Sequence, residues 1–427
     1  MKVGLYIPGL GESFRQESVV KYATRLKNEM DQNAGDASLT FFTKVETDRY
    51  QSDEVCQTTK VSIYSRTGDK DKLEYILYDF QYSGILTETF KNSTIVNKSW
   101  LILMTVLRMF PLMVWRLIKP AEHKNYSFRL RLQSLYAFSI FLLIAILGVL
   151  LIPSAIGVLV KITQLKEVAA FGDLKIPAWI TSLSALILSA SACLFALIPQ
   201  SKSLITSLAT EFVCVDYYLR FGERRQILVG RLEQLIEHIA EREKGCKIHF
   251  HSYSFGTILS IDALFPYGND PAGRLKDVEA LITIGCPYEF LSNYYPVYFT
   301  GRTELLANSL VHWYNIYSNS DALASNFRHG NTEGDAEYSF LKHHVLPSNI
   351  YYELTNMSQF NWLDYMTMYS IKAHQHYWDH YPDGSSCLRR LYERMNKDNM
   401  IYTKPASKQL DQAGNHQEQP QITFNNE

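Results

Sequence analysis

Short apolar segments alternate with amphipathic ones along most of the chain. Residues Lys2 to Ile7 predict a strand, which the PGLG turn separates from a helix that extends to about Met30. Six more segments have the apolar, β-branched and aromatic content of strands: Leu39 to Phe42, Lys60 to Ser65, Leu73 to Phe80, Cys246 to Phe250, Glu279 to Ile284 and Val311 to Tyr317. Helices are predicted between the later strands at Gln226 to Glu243 and Thr257 to Leu264. This alternation predicts an α/β fold with a mostly parallel sheet.

Two long uncharged segments interrupt the alternation before the strand at Cys246. Residues 132–160 and 176–201 contain no charged side chain. As helices, each would be roughly 40 Å long, which exceeds the ~30 Å hydrocarbon core of a bilayer. Two buried core helices are the alternative, but the length of both runs favours a transmembrane helical hairpin inserted into the α/β domain at 132–201.

The charges that flank this hairpin predict its orientation. Five basic residues between Arg116 and Arg131 precede it and Lys202 follows it, against three lysines in the connecting loop. The positive-inside rule therefore predicts that both termini and the α/β domain lie in the cytosol. The apolar segment from Ser99 to Trp115 has Arg108 near its middle, and it suits an interfacial or lid helix, or a helix that covers the sheet.

These patterns divide the chain into five parts. The α/β domain has a first part at 1–98 and a second part at 202–402, separated by the interfacial or lid helix with its basic flank at 99–131 and by the hairpin at 132–201. The polar tail at 403–427 is rich in Gln and Asn and is predicted to be disordered.

Composition excludes some classes of function. The chain has 427 residues and a formal net charge of -1, so no strong overall field attracts nucleic acid. Its six cysteines have neither CxxC pairs nor metal-ligand spacing, and we interpret them as reduced thiols.

The stretch IHFHSYSFGTIL, from Ile248 to Leu259, has the pattern of a strand that turns sharply into a helix. A serine nucleophile at such a turn needs small residues two positions before and two positions after it, because a bulky side chain there would collide with a neighbouring strand or helix. Ser254 has Ser252 and Gly256 at these positions, whereas Ser252 would have Phe250 at one of them. Ser254 is therefore the candidate nucleophile.

An acid and a histidine follow downstream in the order that such a site uses. Asp321 lies just past the strand VHWYNIY, where a carboxylate at the end of a strand can face an imidazole. The segment KAHQHYWDHYPDG then supplies His374, His376 and His380. One imidazole would take the proton of the serine and return it to the leaving group, while the carboxylate fixes the tautomer of the ring.

The motifs PGLG, SYSFGT, LITIGCP, WYNIYSNSDALA and AHQHYW together resemble those of the α/β-hydrolase superfamily, in particular lipase-like serine hydrolases. The resemblance covers about Lys2 to Trp378 without the hairpin. Alignment on AHxxYW implies that His374 is the base, with His376 as the second candidate. It also implies an oxyanion hole made by the backbone N–H groups of Leu10 and Phe255.

The chain departs from the family pattern at two places. Ser252 and Tyr253 stand where members of the family often have Gly-His before the serine, and Pro8-Gly9 stands where they commonly carry His-Gly. The second departure affects the loop that is expected to bind the oxyanion.

The histidines allow a second interpretation. The residues His374, His376, Asp379 and His380 are similar to an HxHxDH zinc motif, but one residue too many precedes Asp379 and changes the direction of the ligands. His249 and His251 share one face of a strand, where packed imidazoles are the expected outcome.

The sequence therefore predicts a membrane-anchored serine hydrolase of ester or thioester bonds. Its expected partners are a lipid bilayer and a lipid or acylated substrate, with no cofactor, no metal and no nucleic acid. A non-catalytic membrane adaptor on a hydrolase scaffold is the alternative.

Overall fold

The computed structural model of the chain describes residues 1–10, 18–34, 38–50, 56–119, 200–267, 273–302, 310, 312–330, 332–341, 346–352, 374, 376–378 and 386–401, together with the single positions 138, 182 and 189. Most of the predicted hairpin at 132–201, the flank at 120–131 and the tail at 403–427 therefore lie outside the described residues. The predictions for these segments stay predictions.

Nine strands form one sheet in the described part of the chain. They are β1 (Lys2–Ile7), β2 (Leu39–Arg49), β3 (Gln57–Thr67), β4 (Lys70–Asp79), β5 (Lys247–Tyr253), β6 (Val278–Ile284), β7 (His312–Tyr317), β8 (Gly334–Asp335) and β9 (Ser348–Tyr351). Their order across the sheet is β2-β3-β4-β1-β5-β6-β7-β9-β8. Strands β4, β1, β5, β6, β7 and β9 are parallel, and the outer pairs β2–β3, β3–β4 and β8–β9 are antiparallel.

Helices cover both faces of this sheet. They are α1 (Val19–Asn33), α2 (Ser83–Asn92), α3 (Ile95–Ile118), α4 (Gln200–Phe221), α5 (Glu223–Arg242), α6 (Phe255–Leu264), α7 (Tyr288–Tyr294) and α8 (Cys387–Lys397). Helices α1 and α8 share one buried apolar cluster with one face of the sheet, whereas α2 to α7 contribute to the cluster on the other face. The two clusters give the molecule three layers, with the sheet in the middle.

The predicted α/β class with a mostly parallel sheet is confirmed. Strand β1 pairs with β4 on one side and with β5 on the other, although the long insertion separates β4 from β5 in the chain. The segments before and after the insertion therefore belong to one sheet. Each of the predicted strands overlaps an observed one.

Strand β2 is longer than the prediction from Leu39 to Phe42. It extends to Arg49 and pairs with β3 along its whole length, from Leu39 opposite Thr67 to Arg49 opposite Gln57. The added residues TKVETDR are mostly polar and at least partly exposed, so the ordinary apolar signal of a strand is missing there. Backbone pairing with β3 determines this part of the strand.

Helix α3 contains the segment that the sequence assigned to an interfacial, lid or covering helix. Among the described residues, its stretch from Trp100 to Ile118 is the one helix that is long and apolar enough to cross a membrane, by length and composition. The helix contacts α4 and α7, so it covers part of the domain in this structure.

Candidate active site

The parallel strands place the candidate residues at one edge of the sheet. Ser254 directly follows β5, and Asp321 lies in the turn after β7. Leu10 follows β1, which is the neighbour of β5. Because parallel strands have their carboxyl ends at the same edge, residues from distant parts of the chain meet there.

The backbone at Ser254 has an uncommon conformation. Its φ is 52° and its ψ is -125°, although it is not a glycine. Its N–H donates to the carbonyl oxygen of Ile284 at the end of β6 (2.9 Å), and its own carbonyl accepts from the backbone and the side chain of Thr257. Such conformations cost roughly 1–3 kcal/mol and persist where the surroundings hold them, often at functional sites.

Gly256 allows the turn to pack against β1. An ideal Cβ at this position would lie 2.4 Å from the carbonyl oxygen of Ile7 and 2.5 Å from that of Pro8. Both atoms belong to the backbone of a central strand and its following loop, so neither can move easily. The sharp turn at Ser254, a nucleophile elbow, requires a small residue two positions after the serine. The backbone atoms of Ile7 and Pro8 are the steric reason for that requirement here.

Replacing Gly256 with alanine is expected to destabilise the fold by on the order of 3 kcal/mol, because the methyl group must push the elbow away from β1. The measurement is denaturant unfolding of the detergent-solubilised protein. Gly230→Ala in α5 is the matched control, since an added Cβ there meets no atom within 4 Å. Equal stability of the two variants would contradict the steric argument.

The structure brings Ser254, His374 and Asp321 into one chain of contacts. The Nε2 atom of His374 lies 2.6 Å from Ser254 Oγ, and its Nδ1 atom lies 2.7 Å from Asp321 Oδ2. All three residues are buried. His374, rather than His376, is thus the histidine between the serine and the acid. The other small residue of the elbow, Ser252, has its hydroxyl 2.5 Å from Ser260 Oγ.

The electrostatic environment of Asp321 favours its charged form. Burial alone would raise its pKa, but the electrostatic interaction with His374 and hydrogen bonds from His374, the N–H of Leu323 and Tyr377 together hold the pKa below its ordinary value. An ionised carboxylate only accepts hydrogen bonds, so Nδ1 of His374 carries the hydrogen in this contact. In the neutral imidazole, Nε2 is then left to accept the hydroxyl hydrogen of Ser254.

Two tyrosines contact this acid and base and a glycine leaves room for the imidazole, and the sequence assigned none of the three to the site. Tyr377 donates to Asp321 Oδ2 over 2.9 Å, and the Tyr253 ring stacks on the His374 imidazole with centroids 5.7 Å apart. The Tyr253 hydroxyl also donates to the carbonyl oxygen of His374. At Gly285, where φ is +60°, a Cβ would lie 2.9 Å from Cε1 of His374. Tyr377 belongs to the motif AHQHYW and Gly285 to the motif LITIGCP. These motifs were the signal in the sequence that could have identified the two residues as part of the site.

The two residues expected to form the oxyanion hole lie close to the elbow. Phe255 is the first residue of α6, so its N–H belongs to the group that a helix leaves without an intrahelical partner. Leu10 is buried and shares an apolar cluster with Phe255. The loop that leads to it contacts the elbow through the carbonyl of Pro8, which also accepts a hydrogen bond from Tyr82 (2.9 Å). Their role stays a prediction.

His249 and His251 are packed side chains, as expected. Both are fully buried, and the Tyr75 hydroxyl lies 2.8 Å from Nδ1 of His249 and 2.9 Å from Nε2 of His251. Burial lowers the pKa of both imidazoles. For the zinc alternative, Asp379 and His380 lie outside the described residues, and the described residues contain no cluster of three or more potential ligands.

Asp79 is a second buried carboxylate at the same edge of the sheet. It ends β4, and its Oδ2 atom accepts a hydrogen bond from Gln81 (2.9 Å). Burial raises its pKa to about 6, against the opposing effect of that hydrogen bond. The folded protein therefore retains a proton on Asp79 at pH values where the unfolded chain, with a pKa of about 3.9, has released it.

This difference predicts a pH-dependent gain from Asp79→Asn. Stability of the wild type is lost as the pH rises from about 4 through 6, because the buried carboxyl must then ionise. An asparagine avoids that cost, so the variant should exceed the wild type by about 2–3 kcal/mol at pH 8 and by much less at pH 4. Denaturant unfolding at both pH values measures it. A gain of equal size at both would contradict this origin.

The comparisons with known proteins identify no relative. No family model, no curated protein and no solved structure matches the chain. Inference about function therefore depends on the geometry and chemistry of the site.

Proposed function

We propose that this protein is a membrane-anchored serine hydrolase of the α/β-hydrolase type that cleaves carboxylic ester or thioester bonds. The observation that carries the proposal is the chain of contacts from Ser254 Oγ through the His374 ring to Asp321, at 2.6 and 2.7 Å. These distances lie within the range of strong hydrogen bonds and connect a nucleophile, a base and an acid in the order that acyl transfer requires.

The reaction follows from the direction of these hydrogen bonds. Nε2 of His374 takes the hydroxyl proton as Ser254 Oγ attacks the carbonyl carbon of the substrate. The imidazolium that forms is stabilised by the Asp321 carboxylate, and it then protonates the leaving alcohol or thiol. A water molecule, activated by the same imidazole, hydrolyses the resulting acyl-enzyme and regenerates the serine.

Negative charge on the carbonyl oxygen needs donors during both steps. The N–H groups of Leu10 and Phe255 are the proposed donors, and loss of one such donor typically costs about 3 kcal/mol of transition-state stabilisation. The proximity of the loop after β1 to the elbow supports this assignment, since Gly256 lies against the carbonyls of Ile7 and Pro8.

Two apolar features of the chain favour lipid-like substrates. The uncharged runs at 132–160 and 176–201 are long enough to anchor the protein in a bilayer. The flanking basic residues favour an orientation with both ends of the chain on the cytosolic side. The buried face of α3 shares one apolar cluster with Leu10 and Phe255. A tethered site meets acyl chains at high effective concentration.

A fluorophosphonate probe tests the proposal. The reagent should modify the full-length protein in detergent, and mass spectrometry of its peptides should locate the adduct on Ser254. Denatured protein is the control, because the sharp turn at Ser254 and its contact with His374 exist only in the folded state. A folded protein that remains unmodified would instead support the adaptor alternative. Ester hydrolysis that stops on chelation, in a protein that the probe does not modify, would point to metal chemistry.

A further inference from the structure

Helix α3 has two faces with different surroundings. Val106, Met109 and Met113 are buried in the apolar cluster of the domain. Large apolar side chains on the rest of the helix are 36% to 71% exposed: Trp100, Leu101, Met104, Leu107, Phe110, Trp115 and Ile118. A contiguous apolar surface of this kind commonly marks a contact with a partner or a membrane.

An ion pair joins the middle of α3 to the neighbouring helix α4. Arg108, near its middle, pairs with Asp216 of α4. The Asp216 side chain is 3% exposed and also accepts hydrogen bonds from Arg220 and from Tyr295, each at 2.7 Å. If α3 crossed a bilayer, Arg108 would lie near its centre and would bring Asp216 and its surrounding helices with it. The ion pair instead holds α3 along the side of the domain.

The charge of α3 indicates the chemistry of the surface that it contacts. The helix and its C-cap carry Lys98, Arg108, Arg116 and Lys119 and contain no acidic residue. The Lys119 ammonium lies over the Trp115 ring, 5.1 Å from its centroid. An apolar helix face with tryptophans and basic neighbours matches the acyl and phosphate layers of a membrane interface.

One described residue of the apolar insertion lies beside the exposed face of α3. The Phe110 ring lies 6.3 Å from that of Phe138, centroid to centroid. Phe138 belongs to the uncharged run at 132–160, which is long enough to span a bilayer. The same bilayer that holds this run can therefore cover the neighbouring face of α3.

We propose that α3 lies in the plane of a membrane interface that contains anionic lipids. Its exposed apolar face contacts the acyl chains, and Arg116 and Lys119 lie near the phosphates. The inference rests on the membrane attachment in the proposed function, and it adds the surface by which the catalytic domain contacts the bilayer.

Depth measurements on the full-length protein test this inference. The protein is reconstituted in nanodiscs of phosphatidylcholine and phosphatidylglycerol, and a spin label is attached to Trp100→Cys, Leu107→Cys or Ile118→Cys. Power saturation with oxygen and a water-soluble relaxant gives the depth of each label. Lys70→Cys, at the exposed start of β4, is the matched control in water. The parent protein without an introduced cysteine, treated with the same spin label, gives the background labelling. This background should be low for the described cysteines, which are all buried.

An in-plane helix places all three labels at a similar depth, within about 10 Å of the headgroups. A spanning helix would place the Leu107 label about 15 Å from either surface, deeper than the other two, and that gradient would overturn the inference. Labels as accessible to water as the Lys70 control would overturn it as well. The double change Arg116→Glu and Lys119→Glu should move the Ile118 label toward water, and an unchanged depth would refute the role of anionic lipids.

Fluorophosphonate labelling of the same nanodiscs separates this inference from the proposed function. Labelled Ser254 with the wrong depth pattern refutes the orientation of α3 alone. Unlabelled Ser254 with equal shallow depths refutes the hydrolase alone.

Discussion

Replacing Ser254 with alanine is expected to abolish fluorophosphonate labelling and to lower kcat for ester hydrolysis by about six orders of magnitude. Without the hydroxyl, the His374 imidazole has no nucleophile to deprotonate, and only substrate binding and the oxyanion donors remain. Removal of a catalytic serine in other hydrolases has an effect of this size. Hydrolysis of a short-chain p-nitrophenyl ester and labelling by the probe are the two measurements.

Ser252→Ala is the control that tests which serine reacts. The two hydroxyls are two positions apart, but that of Ser252 lies 2.5 Å from Ser260 Oγ, whereas that of Ser254 lies 2.6 Å from the imidazole. The control should lose on the order of 1 kcal/mol of stability, because one hydrogen bond disappears while Ser260 still donates to the carbonyl of Gly256, and it should keep its labelling. Labelling that survives Ser254→Ala and disappears in Ser252→Ala would contradict the assignment.

The local part of the site was accessible to sequence reasoning because it depends on short-range backbone geometry. Residues two before and two after Ser254 must be small, and this requirement follows from the sharp turn alone. The order of Asp321 and His374 along the chain added a second constraint. Neither constraint contains distances, and the contacts of 2.6 and 2.7 Å come from the packing of β5, β7 and the segment around His374.

The supporting residues depend on tertiary contacts, which a single sequence does not display. Tyr253 is the last residue of the buried strand β5 and resembles an ordinary core residue in the sequence, but its ring stacks on His374. Tyr377 lies 56 positions from Asp321 in the chain. Gly285 has a positive φ that an ordinary turn would also explain. Only the fold shows that all three surround the same acid and base.

The sheet shows the same division between local and non-local information. Strands β1 and β6 were predictable because buried parallel strands are nearly continuously apolar, and β5 was predictable because apolar residues alternate from Cys246 to Phe250. The short strands β8 and β9 lack that signal, and the pairing of β1 with β5 links residues that are more than two hundred positions apart. A pattern along the chain gives the elements, while their order depends on packing.

Replacing Asp321 with asparagine is expected to lower kcat by about four orders of magnitude with little change in the fold. Three donors converge on the carboxylate: His374 Nδ1 and the Tyr377 hydroxyl on Oδ2, and the Leu323 N–H on Oδ1. An asparagine must place its own NH₂ group against at least one of them. If that group faces His374, the ring takes the opposite tautomer and Nε2 can no longer accept the proton of the serine.

The consequence can be measured as the rate of ester hydrolysis at pH 8, with the rate of fluorophosphonate labelling beside it. Asp335→Asn, at an exposed position in β8, is the matched control and should retain the wild-type rate. The wild-type carboxylate has a lowered pKa, so its stabilising contribution is present above about pH 4 and lost as the pH falls. The variant should therefore lose less stability on acidification than the wild type. A variant that remains within tenfold of the wild-type rate would show that Asp321 does not orient His374, and the serine would then need another source of activation.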